Sequence, residues 1–352
     1  MAVELLSEPG ASSAPPTDNP SRRGIVNFVG RRLVHLIGLL VGVALLGFVL
    51  MELSPVDPID AYVGGDAVRL GEEQRALIAE RWGLDDPTPE RLARWAGNLI
   101  TGDMGTSTVF NAPVTHVIGE RFVASLALLA TAWLLSGVLG FVLGLVAAAT
   151  RGSLLDRSIR WFAYTLASAP TFWVGLLLLT LVAVQLGWAP TSGATPVGLD
   201  PAAATLGQRL HHLFLPALTL SVVGIAPITL HTRARAVEVL GSDVVLFARA
   251  QGDSGWSLIR HRVVRNAAVP ALMLQFASIS ELLGGSVLAE QVFNYPGLGQ
   301  ATVRAGIQGD VPLLLGIALF ATVLVYVGNQ MGDIAQRLVD PRVPVFDGGA
   351  RQ

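Results

Sequence analysis

The chain contains no cysteine and no lysine. Without cysteine there is no disulfide, no thiolate metal site and no Cys nucleophile. Without lysine there is no phosphate-binding P-loop, whose Lys reaches the terminal phosphates, and no Schiff base or Ser–Lys dyad. All 24 basic residues are therefore Arg. Charge is also scarce. Only 14% of the 352 residues are charged, against about 25% in an average soluble domain. Hydrophobic residues make up 52%, and the mean hydropathy is +0.56. The net charge of −2 gives no electrostatic footprint for nucleic acid. A surface this poor in charge suits lipid better than water.

Long apolar runs are abundant. Six segments approach the roughly 20 residues needed to cross a bilayer. They are 33–51, a stretch within 122–150, 161–190 with a kink expected at Pro170, 213–232, 266–290 and 312–332. The fifth is interrupted by Glu281 and by Gly284-Gly285. With the N-terminus inside, 16 of the Arg residues fall in cytoplasmic segments, and the two short outer loops hold only Arg209 and Arg304. This asymmetry predicts an all-α membrane protein with six transmembrane helices, N-in and C-in. The expected division is a disordered cytoplasmic tail over 1–32, a transmembrane domain over 33–338 and a cytoplasmic tail over 339–352. The first apolar run exceeds a signal-peptide core and reads as a retained signal-anchor.

The outer loop 54–121 carries helical signals. Residues 71–83 group Ala76, Leu77, Ala79 and Trp82 near one face, with Gly83 as a stop. Thr88-Pro89-Glu90 reads as a helix start with Thr88 as N-cap, followed by an apolar stripe of Leu92, Trp95, Ala96, Leu99 and Ile100.

The cytoplasmic loop 233–265 is too long for a simple turn. Ser242-Asp243 predicts an N-cap, Val244–Gln251 a two-turn helix, and Gly252 its stop. A further helical turn is expected near Ser254 to Ser257, with Trp256, Ile259 and Val263 on one face. On spacing alone two readings stand: an apolar face awaiting a partner's groove, or a solvated loop whose Arg residues set topology. Two readings also stand for Glu281. It lines a path through the membrane, or it faces water or pairs structurally. His211-His212 is the one His pair, but adjacent helical residues point apart and make poor co-ligands. Neither H-E-x-x-H nor G-x-S-x-G occurs.

Several motifs occur in order along the chain. Ala248-Arg249-Ala250-Gln251-Gly252 is followed by Arg260-His261, Arg265-Asn266-Ala267 and Pro270. Ser54-Pro55-Val56-Asp57-Pro58, Gly83-Leu84-Asp85-Asp86-Pro87, Gly102-Asp103-Met104-Gly105-Thr106-Ser107 and Ala169-Pro170-Thr171-Phe172-Trp173 precede it. Glu290-Gln291-Val292-Phe293, Pro296-Gly297-Leu298-Gly299 and Asp340-Pro341-Arg342 follow. Together they resemble the permease subunits of ATP-binding-cassette (ABC) importers, in the B-type oligopeptide, dipeptide and nickel branch. The resemblance covers about residues 25–343. The sequence departs from the family at Glu281, where a small or neutral residue is usual. It departs again at Leu246, where the wider importer motif has a glutamate, and in its longer N-terminal tail.

The resemblance implies a type I importer permease fold, half of a translocation path, in a bacterial cell membrane. It implies a homologous second permease, two ABC ATPase subunits or one fused, an extracytoplasmic binding protein, and a peptide as cargo. No cofactor would sit in this chain; ATP and Mg would be bound by the ATPases. Ala248, Arg249, Ala250, Gln251, Gly252, Trp256, Arg260 and His261 would form the ATPase-coupling element. Arg249 and Arg260 would meet ATPase carboxylates, and Arg262 and Arg265 the membrane interface. Glu281, Gly284, Gly285, Glu290, Phe293, Tyr295, Pro296 and Gly297 would line the path or its outer gate. Nickel chelates, haem and oligosaccharides remain alternative cargoes. An ATP-independent secondary transporter would show an internal repeat or several membrane carboxylates. An intramembrane enzyme would need a Ser–His or Asp pair at depth. None of these features is found in the sequence.

Overall fold

The computed structural model describes residues 22–53, 71–82 and 86–339. The expected terminal tails, Ser54–Pro58, Gly83–Asp85 and Asp340–Arg342 lie outside the described residues. Helices α1 (Arg22–Glu52), α2 (Glu72–Trp82) and α3 (Thr88–Ile100) come first. A two-residue hairpin, β1 (Thr106–Ser107) and β2 (Ala112–Pro113), pairs antiparallel and leads into α4 (Val114–Ala149). Then follow α5 (Leu154–Ser168), α6 (Thr171–Leu178) with a π-helical continuation to Gln185, and α7 (Leu206–Leu240). The loop after α7 holds α8 (Asp243–Ala250) and α9 (Gly255–Leu258). Next come a π-helical segment Ile259–Val264, α10 (Arg265–Ala277), α11 (Ile279–Val292), α12 (Leu298–Gln308) and α13 (Val311–Val339).

Among the described residues, four helical stretches are each long and apolar enough to cross a membrane: Gly30–Leu50, Val114–Ala149, Leu206–Leu240 and Val311–Gly332. Two bent pairs bring the number to six if each counts as one span. The break at Pro170 is far larger than a kink. α5 and the α6 segment meet at 111°. Proline forces its predecessor out of the helical region, and Ala169 sits at φ −85°, ψ 130°. The second break, 54° between α10 and α11, has no proline. There Ser278 turns its hydroxyl back onto the Gln275 carbonyl at 2.8 Å.

α7 is the central helix, and its bilayer-length window is mostly buried. It packs along α4 through glycines. A Cβ on Gly144 would lie 2.6 Å from Thr232 Cβ and 2.8 Å from the Thr229 carbonyl. A Cβ on Gly140 would lie 2.8 Å from Ile228. This is the small-xxx-small contact by which membrane helices gain van der Waals packing.

In the 54–121 loop, α3 begins one residue earlier than the Thr88 N-cap expected: Pro87 is the N-cap, with no side-chain bond. Its stripe lies against α1, with Trp95 and Phe48 rings 5.9 Å apart and Arg91 3.1 Å from Glu52. Ile100, at the end of that stripe, is exposed. Buried Asp310 ties the hairpin to α13. It accepts Ser107 Oγ, Val109 N–H at 3.0 Å and Leu313 N–H at 3.1 Å.

Candidate functional site

The 233–265 loop forms the helix expected of it, with one local difference. Ser242 is the N-cap of α8, but its hydroxyl donates backward to the Val239 carbonyl at 2.7 Å. At the other end Gly252 sits at φ +94°, where a side chain would be strained, and its N–H reaches the Arg249 carbonyl at 3.0 Å. α8 is two-sided. Val245 and Ala248 are buried against Leu258, Val239 and Leu240. Val244, Leu246 and Phe247 are 58%, 57% and 66% exposed on the opposite side. Arg249, Ala250, Gln251 and Gly252 are exposed beside them.

The stretch after α8 behaves differently from expectation. Val263 is buried and Ile259 half-buried, both in a cluster with Ala148, Ala236 and Ala267. The apolar side there is therefore spent on the chain's own α4 and α7. The Trp256 side chain lies outside the described residues. Arg260 and His261 are exposed, and His261 Nδ1 lies 3.0 Å from the Ser257 carbonyl. A cleft of about 550 Å3 opens under α8, with Arg249, Gly252, Asp253 and Gly255 on its rim.

The residues expected on the path separate into two groups. Glu281 and Gly284 are exposed on α11. A Cβ on Gly284 would meet nothing within 4 Å, whereas one on Gly285 would lie 3.1 Å from Leu220. Leu288 and Gln291 continue the exposed side. Among the described residues Glu281 has no ion-pair partner. Glu290, Phe293, Tyr295 and Gly297, by contrast, are closed in packing, and Pro296 is half-buried. The Glu290 carboxylate accepts Ser125 Oγ at 2.7 Å and Gln300 N–H at 3.0 Å. Ser125 Oγ in turn accepts Leu298 N–H at 2.7 Å. Burial, and then the Glu290 charge, push the Tyr295 phenol up to about 12, with Arg209 opposing.

The histidine pair sits in the first turns of α7 rather than in a loop. His211 Nε2 lies 3.0 Å from the Trp188 carbonyl, and His212 Nδ1 lies 3.2 Å from that of Ser192. Both rings dock the preceding loop onto α7. Among the described residues no group of three metal-ligating side chains occurs.

The exposed apolar side of α8 is what sequence reading missed. Its helical spacing was visible. Which side faced outward was not, because both sides are apolar.

Comparison with known proteins follows the same lines. Residues 140–345 match the family model described as binding-protein-dependent transport system inner membrane component. The chain is 32% identical over 317 residues to the oligopeptide transport system permease protein AppB of Bacillus subtilis (strain 168), covering 90% of this chain and 98% of that protein. It is 34% identical over 335 residues to the di/tripeptide transport system permease protein DppB of Pseudomonas aeruginosa (strain UCBPP-PA14), covering 91% and 99%. Among solved structures, the inward-facing MetNI methionine ABC transporter aligns at a TM-score of 0.48 and 19% identity, over 64% of this chain and 97% of that one.

Proposed function

The chain belongs to the binding-protein-dependent transport system inner membrane components, and on that premise we propose that it is the permease subunit of an ATP-driven importer of peptides. It is a multi-pass membrane protein. Peptides are the cargo named for the relatives that cover nearly its whole length. The family works with a binding protein, an ATPase and a second permease. The finer composition we assign is two ATPase subunits, which bind ATP and Mg, and a homologous second permease. An N-in, C-in arrangement puts α8 on the ATPase side.

One observation carries the division of labour. α8 leaves Val244, Leu246 and Phe247 more than half exposed in an Arg-rich cytoplasmic loop. Its other side is anchored to the end of α7. A helix held firmly from behind and apolar in front fits a partner's groove. The chain has no Lys and so no P-loop of its own; its energy input must arrive through such a contact. Closure of the ATPases would displace α8, and the packed helices behind it would switch between discrete arrangements.

The absence of cysteine makes the test direct. Phe247→Cys is the only thiol in its background. In the assembled importer it should crosslink to the ATPase, in an ATP-dependent manner. Leu154→Cys, on the exposed start of α5, serves as the control. Equal crosslinking from both positions, or none from Phe247→Cys in a complex that transports peptide, would overturn the assignment of α8.

A further inference from the structure

Asp156 is fully buried near the start of α5, and Arg233 on α7 grips both of its oxygens. Arg233 Nε donates to Oδ1 at 2.6 Å, and a terminal nitrogen donates to Oδ2 at 2.9 Å. Gly152 N–H adds a bond to Oδ2 at 3.0 Å, and Arg160 Nε approaches Oδ1 at 3.3 Å. Gly152, at φ +84°, gives the tight turn that brings this N–H round. The sequence presents Arg157, Arg160 and Arg233 only as topology-setting charges, and nothing in the coupling or path motifs includes Asp156.

The position of the pair in the fold gives it meaning. Arg233 lies on the last turns of α7. A little further along the same helix, Val239 and Leu240 form the bed on which Val245 and Ala248 of α8 rest. Asp156 lies on α5, which runs to the 111° elbow at Pro170. Beyond the elbow, Gly175 of α6 sits against Thr219 of α7 and near Phe293 at the outer turn. The ion pair thus joins the helix that carries α8 to the helix that carries the elbow.

We propose that Asp156 and Arg233 are positioning residues of the transport cycle: their forked ion pair makes the α5–α6 elbow follow displacement of α8. This rests on the assignment of α8 as the ATPase contact. The remaining buried contacts of α5, from Ile159 and Ala163, are apolar, and the hydrophobic effect is non-directional and fixes no angle of its own. A planar guanidinium bonded to both carboxylate oxygens fixes distance and angle together. Burial of the Asp156 end screens the pair in part from salt. It is a strut between two elements that must move together.

The test uses the complete importer in proteoliposomes, with ATP hydrolysis and uptake of a peptide carried by its binding protein measured on the same preparations. Removing one partner of a buried pair destabilises by leaving a lone charge, whereas replacing both with apolar residues of similar volume is tolerated. The informative variants are therefore the double Asp156→Leu/Arg233→Met and the mild Arg233→Lys, which keeps the charge and loses the fork. Both should melt with the parent complex and hydrolyse ATP. Peptide transported per ATP should fall about three- to thirtyfold in the double variant, the range set by coupling mutations. Arg233→Lys should lie between it and the parent. An unchanged ratio in both would overturn the proposal and leave the pair a fold-stabilising contact. If the double variant fails to assemble, Arg233→Lys decides alone. A parent chain that binds no ATPase sinks the α8 assignment instead, and that is read before any variant is made.

Discussion

Ser125 and Glu290 meet at 2.7 Å across the buried seam between α4 and α11. That bond closes a small network. Ser125 Oγ donates to the carboxylate and accepts the Leu298 N–H, and Glu290 accepts the Gln300 N–H. The Pro296-Gly297-Leu298-Gly299 turn is wrapped round the carboxylate. Glycine is required there by space: a Cβ on Gly297 would sit 2.3 Å from Glu290 Cδ, and one on Gly299 would sit 2.6 Å from Val287 Cα. The motif that reads as an outer gate is thus a clamp that fixes where α12 starts relative to α4 and α11.

Gly297→Ala should therefore destabilise the folded subunit. Inserting a methyl into a packed site costs about 1–3 kcal/mol, and here the neighbour is a carboxylate already held by two donors. Glu290→Ala should cost as much by a different route, because each buried donor left without an acceptor costs about 1–3 kcal/mol. Both variants should lower the melting temperature of the purified complex. The two costs should fail to add in the double variant, since they act on one network. Strict additivity would show the clamp to be two separate contacts.

The α4–α7 seam makes a sharper prediction. Gly144 faces the Thr229 carbonyl and Thr232 Cβ, so a side chain there can be accommodated only by moving a helix. Gly144→Val should leave membrane insertion intact, because hydropathy rises. It should lower the amount of folded subunit recovered and its melting temperature. Gly284→Val is the comparison, as Gly284 faces open space, and it should keep recovery near that of the parent. Equal loss from both would mean that valine itself, rather than the seam, is what the helices reject.

On α8, Phe247→Asp and Val245→Asp should fail differently. Phe247 is two-thirds exposed, so a carboxylate there can reach water and the subunit should fold and insert. Peptide uptake and ATPase co-purification should be lost. Val245 is fully buried, and an unpaired carboxylate there disrupts the end of α7 itself. Its melting temperature should drop. Gly252→Arg should resemble Phe247→Asp, because the strain at φ +94° is local and no atom blocks the side chain. If Phe247→Asp transports normally, α8 is not the coupling contact.

How much of this was legible in the sequence depends on what kind of signal carries it. Hydropathy placed the four long apolar helices and the two bent pairs, and Gly252 marked the end of α8, because both are local properties. The 111° break at Pro170 was underestimated because proline dictates that a helix is interrupted and leaves the new direction to packing. Thr88 lost the N-cap to Pro87, a shift within the usual uncertainty of helix ends. The clamp was half visible. Glu290 and the glycines stood in one motif, but their partner Ser125 is on α4, and no period links the two. Asp156 was invisible for the same reason. Its mate, Arg233, lies on another helix, and an Arg beside a membrane span reads first as topology. For Ile259 and Val263 spacing left a partner's groove and a solvated loop both standing, and the face belongs instead to the chain's own core. Periodicity shows that a face exists, not what covers it.

Glu281 is assigned by what each possible surrounding would cost it. It is exposed on α11, within a bent pair that makes a membrane span if the two helices are counted as one, and no described residue forms an ion pair with it. A carboxylate facing lipid at the centre of a span costs about 2.5–3.5 kcal/mol on insertion scales. Gln291 shares its exposed side, with Gly284 and Leu288, and its amide is also poorly suited to lipid. A water-filled path or a second subunit accommodates this side better, and the two differ in what Glu281→Gln changes. On the path, loss of the charge should lower uptake of a peptide with a free amino terminus more than uptake of its N-acetylated form, with complex recovery unchanged. In a subunit interface, recovery of the paired permeases should fall and the two peptides should be affected alike. The path outcome is expected, because the glycine one turn away leaves open space beside the carboxylate. If Glu281→Leu instead raises recovery and leaves uptake untouched, the carboxylate faces lipid and belongs to neither.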